Sequence, residues 1–190
     1  ISYLDLKNRA KLISFYQTLQ VMTCMTLSMS ELSIRNVTSV TGTHWDGRTI
    51  DDVEAIGFSV ANFNLTFVPQ GIEEFFPRIR AMQIFQSQIQ VLNGDELNNL
   101  ADLELFSMHS NPLERISSNL FQFNPQRRGT QFPFAKVQHV GDELFQPLNI
   151  QRLEFVDFED NICINQAASN YPAIVQLIED LKTKCPDHEA

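Results

Sequence analysis

The chain has 190 residues, a length that suits one domain with a core of its own. A net charge of −9 excludes the basic face that a nucleic-acid partner requires and disfavours an anionic membrane surface. A hydrophobic fraction of 43% with fifteen Phe excludes a disordered chain, and no run approaches the ~20 apolar residues of a membrane-spanning helix.

At the N-terminus Lys7, Arg9 and Lys11 precede Leu12-Ile13-Ser14-Phe15-Tyr16, which imitates the basic and apolar parts of an export signal. Gln17, Thr18 and Gln20 interrupt the apolar run, so no clear export signal is read there. Residues 1–30 are expected to be a poorly defined leader or cap remnant, and residues 31–54 an N-terminal capping region. Asn36-Val37-Thr38 and Asn64-Leu65-Thr66 are sequons, which makes Asn36 and Asn64 candidate glycosylation sites.

From residue 55 to 152 the chain repeats. Leu103, Phe106, Met108, Asn111, Leu113 and Ile116 fit the pattern L-x-x-L-x-L-x-x-N-x-L-x-x-L. Stepping back 24 residues, Ile79, Met82, Ile84, Ser87, Ile89 and Leu92 fill the same slots, and before them Ala55, Phe58, Val60, Phe63, Leu65 and Val68. Stepping forward 24 gives Arg127, Thr130, Phe132, Ala135, Val137 and Val140. A last copy, with Leu153, Val156, Phe158, Asn161 and Cys163, follows after a step of 26.

Each unit reads as a short strand, a turn and an irregular or single-turn helical return. Alone it cannot cover its apolar side, so units stack around a shared core. Strand alternation sends Phe106 and Met108 inward and Ser107 outward. Asn111 and Asn161 are expected to satisfy backbone groups of the loop leaving each strand; Ser87 does part of that task, while Phe63 and Ala135 offer nothing. Arg127 and Thr130 occupy apolar slots, and burying an unpaired guanidinium is expensive. The fourth repeat is therefore expected to bulge outward, or to carry the charge to the solenoid's edge.

The repeat phase gives three outward columns: Ser59, Gln83, Ser107, Gln131 and Asp157 in the centre; Ala61, Phe85, His109, Pro133 and Glu159 on one side; Gly57, Ala81, Leu105, Gly129 and Phe155 on the other. Gln83, Phe85, Ser107, His109, Gln131 and Asp157 are the candidate partner-binding residues, with Phe85 beside His109 as the expected hot spot. Five strands at ~4.8 Å spacing make an arc ~25 Å across, short of the ~800 Å² per partner of a stable complex. Binding by this face is expected to be weak unless an edge, a cap or a second subunit contributes.

Beyond the repeats, Tyr171-Pro172 suits a helix start, Ile174, Leu177, Ile178 and Leu181 recur at helical spacing, and Lys182 and Lys184 fall in the last turn. The cysteines are Cys24, Cys163 and Cys185. They form no CxxC or Cys/His cluster with zinc-ligand spacing, and an odd number leaves one thiol spare or paired outside the chain.

These residues together resemble extracellular leucine-rich-repeat proteins, and in particular short secreted ones of insects, over roughly residues 30–186. The resemblance implies an α/β fold: a short solenoid with a parallel β-sheet on its concave face, an irregular or short helical convex side, and a C-terminal helical cap closing residues 153–190. It also implies a disulfide between Cys163 in the last repeat and Cys185 beyond the helix, the alternative being two buried free thiols. Such a bond closes a 22-residue loop, worth ~3 kcal/mol by chain-entropy arithmetic. Cys24 followed by residues 37–44 looks like the end of an N-terminal cap, yet it lacks the companion cysteine such caps carry.

No G-x-S-x-G, phosphate-binding loop, dinucleotide fingerprint or H-E-x-x-H occurs. His44, His109, His139 and His188 are scattered, and Asp51-Asp52, Glu73-Glu74 and Glu159-Asp160 lack the dense oxygen-ligand loop of a calcium site. No catalytic, cofactor-binding or metal residue is therefore expected. The resemblance implies a secreted, disulfide-bonded and glycosylated recognition module for an extracellular protein or glycan. A structural or self-associating protein, forming a homodimer, is the alternative. A carrier of apolar ligands is more distant, because solenoid cores are packed solid.

Overall fold

A computed structural model describes Met25–Met29, Val37–Gly42, Gly57–Ala61 and residues 65–187. Cys24, His44 and the sequon residues Asn36 and Asn64 lie outside the described residues. Strands β1 (Met25–Met29) and β2 (Val37–Gly42) pair antiparallel, with Met25 opposite Gly42.

The chain then winds as a solenoid. In order come β3 (Gly57–Ala61), a helical turn α1 (Ile72–Phe75), β4 (Ala81–Phe85), β5 (Val91–Leu92), β6 (Leu105–His109) and β7 (Arg115–Ile116). There follow β8 (Gly129–Gln131), β9 (His139–Val140), a 3-10 turn at Ile150–Arg152, β10 (Phe155–Asp157), β11 (Ala167–Ala168) and α2 (Tyr171–Lys184). Strands β3, β4, β6, β8 and β10 form a parallel sheet, and β11 adds antiparallel to its end. The 24-residue period sets the register: Ser59 pairs with Gln83, Gln83 with Ser107, Ser107 with Gln131 and, across the 26-residue step, Gln131 with Asp157.

The opposite wall is more regular than the expected irregular return. Strands β5, β7 and β9 form a second parallel sheet, joining Leu92 to Ile116 and Ile116 to Val140. Between the walls lie Met82, Ile84, Phe106, Met108, Phe132, Val156 and Phe158, all 0% exposed, which confirms the inward phase of the repeat. Phe106 meets Phe132 edge-on, as Phe121 meets Phe145 in the convex turns. Phe132 in turn meets Phe158 with tilted rings, so aromatic contacts run from one repeat to the next.

After β4, β6, β8 and β10 the chain passes through the left-handed backbone region at Gln86, Ser110, Phe134 and Asp160, with φ of 53°, 56°, 54° and 52°. A non-glycine residue there costs about 1 kcal/mol, and the asparagines one position further on hold the turn. Asn111 Oδ1 accepts the Ser87 backbone N–H at 2.9 Å and the Ser87 hydroxyl, while Nδ2 donates to the Ile84 and His109 carbonyls at 3.1 Å each. Asn161 repeats this with the N–H groups of Ala135 and Val137 and the carbonyls of Phe132 and Glu159. Each asparagine therefore serves the preceding repeat as well as its own, which is how Ala135, with no polar side chain, is accommodated.

The fourth repeat overturns the expectation of an outward bulge. Arg127 is 0% exposed and fills the slot that Leu103 fills one repeat earlier. Its Cζ lies 4.4 Å from the Phe121 ring centroid and 5.7 Å from that of Phe106, and among the described residues none of its side-chain nitrogens has a hydrogen-bond partner. A planar, weakly hydrated guanidinium can present its face to aromatic rings in a way that an ammonium cannot. Burial lowers Arg127 well below the ordinary guanidinium value, to about 9, so it remains charged at neutral pH. Thr130, also 0% exposed, has an unpartnered Oγ1, and so does the Oδ1 of buried Asn124, whose Nδ2 donates to the carbonyls of Leu97 and Leu100.

Helix α2 begins where the sequence places it. The Asn170 side chain caps it by accepting the Ala173 N–H at 3.1 Å, and Pro172 lies in the first turn, where no N–H is missed. Ile174, Leu177, Ile178 and Leu181 are buried. The Cys163–Cys185 disulfide is present and ties the helix end to the last repeat. Pro186 then bridges Val140 in parallel, His139 Nδ1 lies 2.9 Å from the Pro186 carbonyl, and Arg115 Nε donates to Asp187 at 3.0 Å. The tail thus joins the convex sheet. Among the described residues no helix is long and apolar enough to cross a membrane.

Candidate recognition surface

The parallel sheet presents its outward columns as the register requires, but solvent reaches them unevenly. In the central column Gln83 is half-buried, whereas Ser107 is 1%, Gln131 5% and Asp157 1% exposed. The expectation of an open central column is corrected at those three positions. Part of the reason is packing on the outer face itself. The Phe155 ring lies across Gly129, occupying the place a Cβ would take, and Leu105 and Phe155 are themselves buried. Asp157 also turns back on the chain, Oδ1 accepting the Glu159 N–H at 2.9 Å.

The column at the strand ends is more open. Phe85 and His109, neighbours in the register of β4 and β6, are both half-buried. Their rings stack with centroids 4.9 Å apart and planes inclined by 13°. His109 Nδ1 lies 3.3 Å from the Ser110 hydroxyl. Beyond them Pro133 is buried and Glu159 half-buried. The structure therefore brings together Phe85, His109 and Gln83 as partly exposed groups, and sets Ser107, Gln131 and Asp157 beneath the surface.

The opposite edge of the sheet carries a feature the sequence reading missed. Arg80, Glu104, Arg128 and Glu154, each immediately before a strand, form a ladder of alternating charge. Arg80 Nε donates to Glu104 at 2.7 Å, Arg128 Nη1 donates to the same carboxylate at 3.3 Å, and Arg128 Nε donates to Glu154 at 3.0 Å. The Glu154 hydrogen bond, with lesser help from Glu104, raises Arg128 above its ordinary value. The signal was legible as a basic–acidic alternation at the repeat period. With at least one partner of each pair open to solvent, these contacts contribute little stability each, typically under ~1 kcal/mol.

The chemistry of this face is stacking and hydrogen bonding. Among the described residues no group of three or more His, Cys, Asp or Glu could hold a metal ion.

No family model matches the sequence, and no curated protein matches it. Among solved structures the chain is similar to the Toll–Spatzle complex, a molecular hub in Drosophila development and innate immunity, with a TM-score of 0.52 at 18% identity. The match covers 59% of this chain and 15% of that one, so this chain spans a small part of its neighbour's length. Toll is a leucine-rich-repeat protein, and the likeness is one of fold.

Proposed function

We propose that the chain is an extracellular protein-recognition module that binds through the strand-end surface centred on Phe85 and His109 and carries out no catalysis. The stacked pair carries this reading. Two aromatic rings half-exposed on adjacent strands offer a partner a rigid contact with little side-chain entropy left to lose. The disulfide-closed cap suits an oxidising compartment, and the fold neighbour is a protein seen in complex with another protein. The residue span 31–54 as a cap and the use of both sequons belong to the same reading.

With Ser107, Gln131 and Asp157 buried, the concave face offers less than the sequence suggested, so contact would extend along the strand ends toward Glu159. At the C-terminal end of the sheet β10 is already paired, so self-association there would have to use the two-residue β11. The test is capture from extracellular fluid by wild type, Phe85→Ala and His109→Ala, quantified by mass spectrometry. Each variant is expected to lose most of the captured partner, a drop of roughly thirtyfold in affinity for ~2 kcal/mol, with an unchanged melting curve. Stable variants that retain full capture would overturn the assignment.

A further inference from the structure

The junction of the last convex turn with α2 forms a second surface, remote from the Phe85–His109 pair. It is a groove of about 440 Å³, within the range of ligand pockets. Phe145, Ile150 and Ile178 contribute its apolar lining, Ile150 half-buried and the other two nearly covered. Asp142 and Glu143 line it from the last convex turn, Glu179 and Lys182 from α2. Lys182 is engaged by Glu179 at 3.0 Å, within the same helix. The carboxylates of Asp142 and Glu143 enter no ion pair or hydrogen bond among the described residues.

A second cavity, about 230 Å³ between the first convex turns, makes the contrast. There Glu96 accepts the N–H groups of Asn93 and Gly94 at 2.8 Å each, and Glu73 accepts from Asn99. Its carboxylates serve the fold. Those of Asp142 and Glu143 in the larger groove are exposed and make no such bond among the described residues.

We propose that this groove seats a short basic segment of a partner protein, an arginine or lysine flanked by apolar residues. The long aliphatic stem of such a side chain would cover Phe145, Ile150 and Ile178 while its charged head meets Asp142 and Glu143. Charge complementarity selects this occupant over an acidic or purely apolar one, on a chain whose net charge is −9. The disulfide holds the α2 wall in place before binding, which limits the ordering cost. A metal ion is a poorer fit, because the acids do not converge as a ligand set.

The experiment uses the full chain with isotope-labelled isoleucine methyl groups, titrated with the capped tripeptide Leu-Arg-Leu. Saturable shifts at Ile150 and Ile178 are expected, weakening by roughly tenfold in Asp142→Asn/Glu143→Gln, as for the loss of two partly exposed charge contacts. Three results would overturn the proposal: no shift at millimolar peptide, equal binding of the capped Leu-Gln-Leu control, or equal binding of arginine amide alone, which would assign the groove to small cations. Phe85→Ala should bind the peptide as wild type does, so this surface and the strand-end surface fail or succeed separately.

Discussion

Replacing Arg127 by Met removes a buried charge while keeping an unbranched side chain of similar reach. At ~1.4 kcal/mol per tenfold change in proton affinity, lowering the guanidinium from its ordinary value to about 9 corresponds to ~5 kcal/mol of burial cost. The faces of Phe121 and Phe106 offset part of this, at ~0.5–2 kcal/mol per contact. The balance, about 1–4 kcal/mol, agrees with the gain seen when buried ionic groups give way to apolar ones. Arg127→Met is therefore expected to be more stable than wild type, and a gain of ~2 kcal/mol would raise Tm by ~4–8 °C. Thermal unfolding followed by circular dichroism reads the change. Below pH 9 the guanidinium is charged in both folded and unfolded chains, and the full cost is present. As pH rises above about 9 the folded state loses its proton first and the cost fades. The stability gap between variant and wild type should narrow over that window. Arg127→Lys keeps the charge and loses the planar face, so it should melt lower than wild type. An Arg127→Met variant melting several degrees below wild type, with a gap independent of pH, would refute this reasoning.

Ile84→Asp places a charge in the core and should abolish cooperative unfolding, while Gln83→Asp, one residue away on the outer face, should cost under ~1 kcal/mol; equal losses in the two melting curves would contradict the register. Asn111→Ala strips partners from the Ser87 N–H and the Ile84 and His109 carbonyls, and calorimetry should show a loss of ~2–4 kcal/mol. A loss within ~0.5 kcal/mol would mean that water replaces the side chain. Paired substitution of Cys163 and Cys185 by Ala should cost ~3 kcal/mol by denaturant titration, and non-reducing peptide mapping should recover the Cys163–Cys185 link; a link from Cys24 to Cys163 would be the contrary result.

The strand register was legible because apolar residues recur every 24 positions, and a repeated unit must align with its copy. The asparagine turns were legible for the same reason, since Asn111 and Asn161 occupy matching slots. Arg127 was misread because its burial depends on Phe106 and Phe121 presenting ring faces, a matter of side-chain orientation across repeats that no spacing encodes. The central column was misread because strand alternation gives the side of the sheet a residue faces and not what packs over it, and Ser107, Gln131 and Asp157 are covered although their register points outward. The convex strands β5, β7 and β9, each two residues long, are too short to show alternation at all.

The tail beyond α2 has a consequence for how the molecule bears load. β11 is bonded to β10 in one wall, and Pro186 is bonded to Val140 in the other. Helix α2 therefore spans the end of the solenoid as a crossbar fastened on both sides, with the Cys163–Cys185 bond as a third fastening. A linear repeat array ordinarily frays from its ends, one unit at a time. Tension applied through Asp187 would instead meet the hydrogen bond from the Val140 N–H to the Cys185 carbonyl, the Arg115–Asp187 pair and the disulfide before any strand could peel. At this end the fold is fastened as a clasp is, to both sheets at once, so a pull on the tail would be shared between them.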